Sequence, residues 1–80
     1  MAVDPKTLRH TGAQAHQAGK LDEAMAAYNA YLAQVPGDAG IWSNLGVLHR
    51  KSGRHRMALR AHRRAVALQP KDVGLRNNLA

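Results

Sequence analysis

The sequence predicts an all-α chain built from paired helices, and three observations predict it. Turn-forming and small residues recur at one interval: Pro36 and Pro70, Gly12 and Gly46, Gly19 and Gly53, Ala24 and Ala58, and Asp38 and Asp72 are each 34 residues apart. Gly40 with Gly74, and Asn44-Leu45 with Asn78-Leu79, keep the same register. Alanine is abundant, phenylalanine is absent and few residues are β-branched, so local propensity favours helix almost throughout. Within each interval, apolar residues at helical spacing flank a glycine, the pattern of two helices with a break between them.

Each element can be justified in turn. The first helix is expected from about Pro5 to Ala18, with Asp4 as its N-cap and Pro5 in the first turn, where a missing N–H costs nothing. Gly19 supplies the break, and a second helix runs from about Leu21 to Val35 before Pro36. Ile41, Trp42, Leu45, Val47 and Leu48 mark a third helix from about Ala39 to Ser52, capped by Asp38. Gly53 ends it, and a fourth helix runs from about Arg54 to Leu68. Asp72 then stands where a further helix would be capped, and the apolar stub Val73, Leu75 and Leu79 follows.

The signature residues carry a family resemblance. Trp42-x2-Leu45-Gly46-x2-His49, then Ala58-x3-His62, then Pro70 resembles the tetratricopeptide repeat, a 34-residue helical hairpin. In the first unit Leu8 stands for the tryptophan and Thr11 for the leucine, while Gly12, Ala24, Tyr28 and Pro36 fall in place. The resemblance covers the chain from about Pro5 to its end. It implies hairpins stacked as a right-handed superhelix: repeat 1 at about 5–38, repeat 2 at 39–72 and a partial third at 73–80. Glycines at 12 and 46 are expected to let the paired helices approach closely, with Ala24 and Ala58 as small partners. Trp42 and Leu45 are expected in the seam between helices, as are Tyr28 and Tyr31. About three stacked units are usually needed for such a core. The chain is therefore expected to be a fragment of a longer array, or to self-associate as a homo-oligomer through the incomplete third repeat.

The resemblance also implies a binding surface, a concave groove lined by first-helix side chains that takes an extended peptide. The matching positions are Lys6, Arg9, His10, Ala13, His16 and Gln17; then Ser43, Asn44, Val47, Arg50 and Lys51; then Asn77 and Asn78. Asn44 and Asn78 recur at one inner position and resemble the asparagine ladder in the repeat domain of O-linked N-acetylglucosamine transferase. An amide there offers a donor and an acceptor to a peptide backbone of any sequence; His10 interrupts the ladder in the first unit. A clamp of the chaperone-tail type needs lysine and asparagine where Arg9 and Ala13 stand, and lysine and arginine where Gly74 and Asn78 stand; only Asn44 fits. Arg9, Arg50 and Lys51 make the expected ligand neutral to acidic.

Charge offers a competing surface. The formal net charge is +7, and most of the acids precede residue 41 whereas most of the basic residues follow it. On a helical wheel at about 100° per residue, Ala58, Ala61, His62, Ala65, Leu68 and Gln69 share one face. Arg56, Arg60, Arg63 and Arg64 lie opposite, on the side that the resemblance makes convex. They read either as a solvated face, arginine being a good helix former, or as an anion-binding ridge. With no aromatic in the stretch to stack on a base, such a ridge would bind nucleic acid without sequence preference.

Little else points to chemistry. His10 and His16, and His55 and His62, have spacings that do not put two metal ligands on one helix turn. His49 and His62 fall in the family's two aromatic slots and are expected to fill the core. No cysteine, glycine-rich phosphate loop or recognisable nucleophile–base arrangement is present, so no cofactor, metal or enzymatic activity is expected. No secretory signal or membrane-spanning run is legible, which leads to a cytoplasmic expectation. The predicted function is a protein–protein interaction scaffold. The alternatives are nonspecific nucleic-acid or anion binding by the arginines, and a substrate-orienting segment of a larger enzyme such as a glycosyltransferase.

Overall fold

The computed structural model describes residues 3–69. These form four helices and no strand: α1 (Pro5–Gln17), α2 (Leu21–Gln34), α3 (Ala39–Lys51) and α4 (His55–Leu68). Each lies within one residue of its predicted limits. The third unit, with Pro70, Asp72, Asn77 and Asn78, lies outside the described residues. α1 packs along α2 and α3 along α4, and a smaller α2–α3 contact joins the two hairpins.

Local chemistry accounts for the helix ends. Asp4 caps α1 by accepting from the Lys6 amide at 2.8 Å, with Pro5 in the first turn. Asp38 caps α3 by accepting from the Ile41 amide at 3.2 Å. Each hairpin turns at a glycine in the left-handed region, Gly19 at φ 75° and Gly53 at φ 78°, where a Cβ would be strained. α2 and α4 begin at Lys20 and Arg54 without a side-chain cap. Asp22 and Glu23 in the first turn of α2 suit the positive end of its dipole. α4 has no acid there and carries His55 and Arg56 instead, an unfavourable arrangement.

The core runs through all four helices. Met25, Tyr28, Tyr31 and Leu32 from α2 meet Ile41, Leu45 and Leu48 from α3, with Ala15 and Ala61 from the flanking helices and Leu8, Leu21 and Trp42 partly buried at the edge. Tyr28 and Leu48 are fully buried, each contributing about 1.5–3 kcal/mol relative to exposure. Ala39 and Ala65 form a satellite cluster with Trp42 and Val66.

The glycines of the first helices admit rings from the second helices. A Cβ at Gly12 would meet Tyr28 Cδ1 and Cε1 at 2.5 Å, and one at Gly46 would meet His62 Nε2 at 2.7 Å. Tyr28 and His62 are thus equivalent rings, 34 residues apart, each seated on a glycine. Ala24 and Ala58 are buried, as expected. Leu68 and Gln69, placed by the wheel on the packed face of α4, are exposed at its end.

Candidate functional site

Residues predicted to share one surface come together between the first helices of the two hairpins. Lys6, Arg9, His10 and Ala13 follow the three- and four-residue spacing of one helix face. With Ile41 and Asn44 of α3 and Tyr28 of α2 they line a pocket of about 400–500 Å³ (≈ 470 Å³). Asn44 and His10 are exposed at its rim, and Tyr28 forms its buried floor. The Asn44 amide hydrogen-bonds the Tyr28 hydroxyl; burial pushes the phenol's pKa up and this contact draws it partly back. Sequence reasoning passed over the Tyr28 hydroxyl because the ring reads as core. Its 16-residue spacing to Asn44 has no meaning until α2 and α3 are packed.

Arg9 is held rather than free. Its guanidinium lies 4.0 Å from Asp38 Oδ2, with the arginine side chain about half exposed, and its Cζ is 6.0 Å from the centre of the Tyr31 ring. The Tyr31 hydroxyl donates to the same carboxylate oxygen at 2.6 Å. That bond, with burial and the charge of Asp38 behind it, raises the Tyr31 pKa. Asp38 therefore caps α3, anchors α2 and faces α1 at once. The groove positions contain no acid in the sequence, but this neighbouring carboxylate offsets part of their charge.

The remaining predicted groove residues divide. Val47 is half-buried, and Arg50 and Lys51 are exposed further along α3, outside the lining of the pocket. Ser43 is buried and so does not face a ligand, which corrects its expected place in the groove. His16 is half-buried and Gln17 exposed. Asn77 and Asn78 lie outside the described residues.

The four arginines of α4 are all exposed, and two of them also border a groove. Arg60 and Arg64 border a second groove of about 400 Å³ (≈ 400 Å³), with Asn29, Trp42, Leu45, His49, Met57 and Ala61. The Arg64 guanidinium lies 5.8 Å from the centre of the Trp42 ring, and Trp42 Nε1 donates to the Pro36 carbonyl at 2.8 Å. The wheel could not show this, because α2 supplies the opposite wall.

His49 and His62 are both buried, as expected of core residues. Burial lowers both pKa values, and nearby Arg54 and Arg50 respectively lower them further. Nδ1 of His49 and both ring nitrogens of His62 find no hydrogen-bond partner among the described residues. Among those residues no group of three or more His, Cys, Asp or Glu side chains could hold a metal, and no helix is long and apolar enough to cross a membrane.

Comparison with known proteins agrees with this architecture. The tetratricopeptide repeat family matches residues 5–48, more than half of the chain. The peroxisomal targeting signal receptor of Eremothecium gossypii is 33% identical over 78 residues, which is 98% of this chain and 14% of the receptor. The crystal structure of MamA is similar in fold, with a TM-score of 0.91 at 15% identity over 99% of this chain and 46% of that one. The chain thus spans less than half the length of either relative. By its family match and its two glycine-turned hairpins, the chain belongs to the tetratricopeptide repeat family.

Proposed function

We propose that the chain is a non-catalytic protein-interaction module that takes an extended, neutral-to-acidic peptide in the α1/α3 groove. One observation carries the reading: Arg9 and His10 of α1 and the distant Asn44 of α3 line one open pocket with Tyr28. Asn44 offers hydrogen bonds to a peptide backbone, Arg9 and Lys6 attract carboxylates, and Arg50 and Lys51 continue the positive field along α3. Asn78 would repeat the Asn44 contact one unit further on. The similar receptor is, by its name, a reader of a targeting signal, which supports a peptide ligand. The chain's short span of its relatives supports a segment of a longer array.

The test is capture of partner peptides by the intact chain and by an Asn44→Ala/Asn78→Ala variant, which leaves net charge unchanged. Loss of about tenfold or more in affinity is expected, since two amide contacts are removed from the peptide backbone. Normal binding by the variant would overturn the reading. Exposed Arg56 and Arg63, with no ion-pair partner among the described residues, favour nonspecific anion attraction as a second reading. It predicts a steep loss of binding with salt and indifference to Asn44.

A further inference from the structure

We propose that the α2/α4 groove is a second docking surface, built for an acidic amphipathic protein segment. Its floor is made by Trp42, Leu45 and Ala61 with the buried His49 ring, and Met57 stands at its edge 48% exposed, a flexible thioether able to adapt to an incoming side chain. Arg60 and Arg64 border it one helical turn apart, about 6 Å along the axis. No acidic residue lines it, and α4 contains none.

The repeat supplies an internal control. The first-unit equivalents of Arg56, Arg60, Arg63 and Arg64, 34 residues earlier, are Asp22, Ala26, Asn29 and Ala30. The hairpin fold therefore does not require arginine at these positions. Of the four, Arg60 and Arg64 are the pair that meets this floor. The Arg64 guanidinium lies 5.8 Å from the centre of the Trp42 ring, a cation–π distance that favours its charge at the border of that floor, where it can meet a carboxylate. Leu45, Met57 and Ala61 around that ring offer apolar surface to a side chain rather than further platforms for bases, which favours a protein partner over nucleic acid. The complementary ligand is a helix with one large apolar stripe and carboxylates a turn apart on its flank.

Trp42 is the only tryptophan in the chain and lines this groove, so its emission responds to binding there. The experiment titrates the full chain with a short labelled peptide of alanine, leucine and glutamate, the leucines in one helical stripe flanked by glutamates. A same-composition scramble and a single-stranded oligothymidine are the comparison ligands. The patterned peptide is expected to bind with a change in Trp42 emission, and the scramble about tenfold more weakly. Arg60→Glu/Arg64→Glu should weaken the patterned peptide by about tenfold or more, and Met57→Asn by about threefold. Arg56→Glu/Arg63→Glu, with the same change in net charge, should change it by less than about threefold. All these positions are exposed, and matching circular dichroism melts would confirm that each variant is folded. Equal losses in the two charge-reversed variants, equal binding of the scramble, a silent Trp42, or preferential binding of the oligothymidine would each overturn the proposal. Asn44→Ala should leave this binding unchanged, which separates it from the α1/α3 groove.

Discussion

Substitution of Gly12 by alanine tests whether the hairpin is assembled by seating a ring on a glycine. In an ordinary helix interior the change would stabilise by about 1 kcal/mol, because alanine has the better helix propensity. Here the new Cβ would lie 2.5 Å from Tyr28 Cδ1 and Cε1 and 3.1 Å from Cζ. Carbon atoms pack best at about 3.5–4.0 Å, so the overlap is about 1 Å. Tyr28 is only 1% exposed and has no solvent side into which to retreat. Overpacking of this kind costs about 1–3 kcal/mol, and the severity of the overlap puts Gly12 at the upper end. The net loss is therefore about 2 kcal/mol, or about 8–16 °C in melting midpoint for a domain of this size. Gly40 is the control: it is exposed in the first turn of α3, and its Cβ would meet only Asp38 Oδ1 at 3.5 Å. Gly40→Ala should raise stability by about 0.5 kcal/mol. Thermal and urea melts followed by circular dichroism measure both. If Gly12→Ala melts at or above the parent chain, the ring does not occupy that seat and the packing argument fails.

Three further outcomes follow from other contacts. Because His49 and His62 have lowered pKa values in the fold, the unfolded chain binds protons more readily; stability is full above the ordinary histidine range near pH 6.5 and declines as pH falls through the folded values. Melts at about pH 7.5 and about pH 5 should differ, less so in His62→Tyr, and equal midpoints in the parent would contradict the burial argument. Asp38→Ala should lose about 1–3 kcal/mol in urea titration, because a cap and the Tyr31 bond go together, whereas Asp4→Ala should lose only about 0.5–1 kcal/mol; equal losses would mean that the Tyr31 bond adds nothing. Trp42→Phe should cost about 1 kcal/mol through the Pro36 bond, and an unchanged urea midpoint would show that bond to be idle.

The helices were legible because their punctuation is local. A glycine that must take positive φ and an aspartate that caps the next helix are read from their immediate neighbours, and the repeat states each mark twice. The grooves were only half legible. Arg9, His10 and Asn44, grouped by family position, line one pocket, whereas Ser43 is buried and outside that lining. A helical wheel shows which way a residue points from its own axis and says nothing of what another helix brings to meet it. For that reason Tyr28 could not be assigned to Gly12, nor Arg64 to Trp42, before α2, α3 and α4 were placed together.

Asp38 gives the joint between the hairpins a mechanical character. One carboxylate ties the start of α3 to the Tyr31 hydroxyl of α2 and leans on Arg9 of α1, which itself lines the α1/α3 groove. An incoming carboxylate that draws Arg9 toward itself slackens one of three guy-lines on this post. By reciprocity, a chain held with those lines taut grips such a ligand less firmly. Under the proposed function, the stiffness of this joint and the affinity for an acidic ligand would be two readings of a single spring.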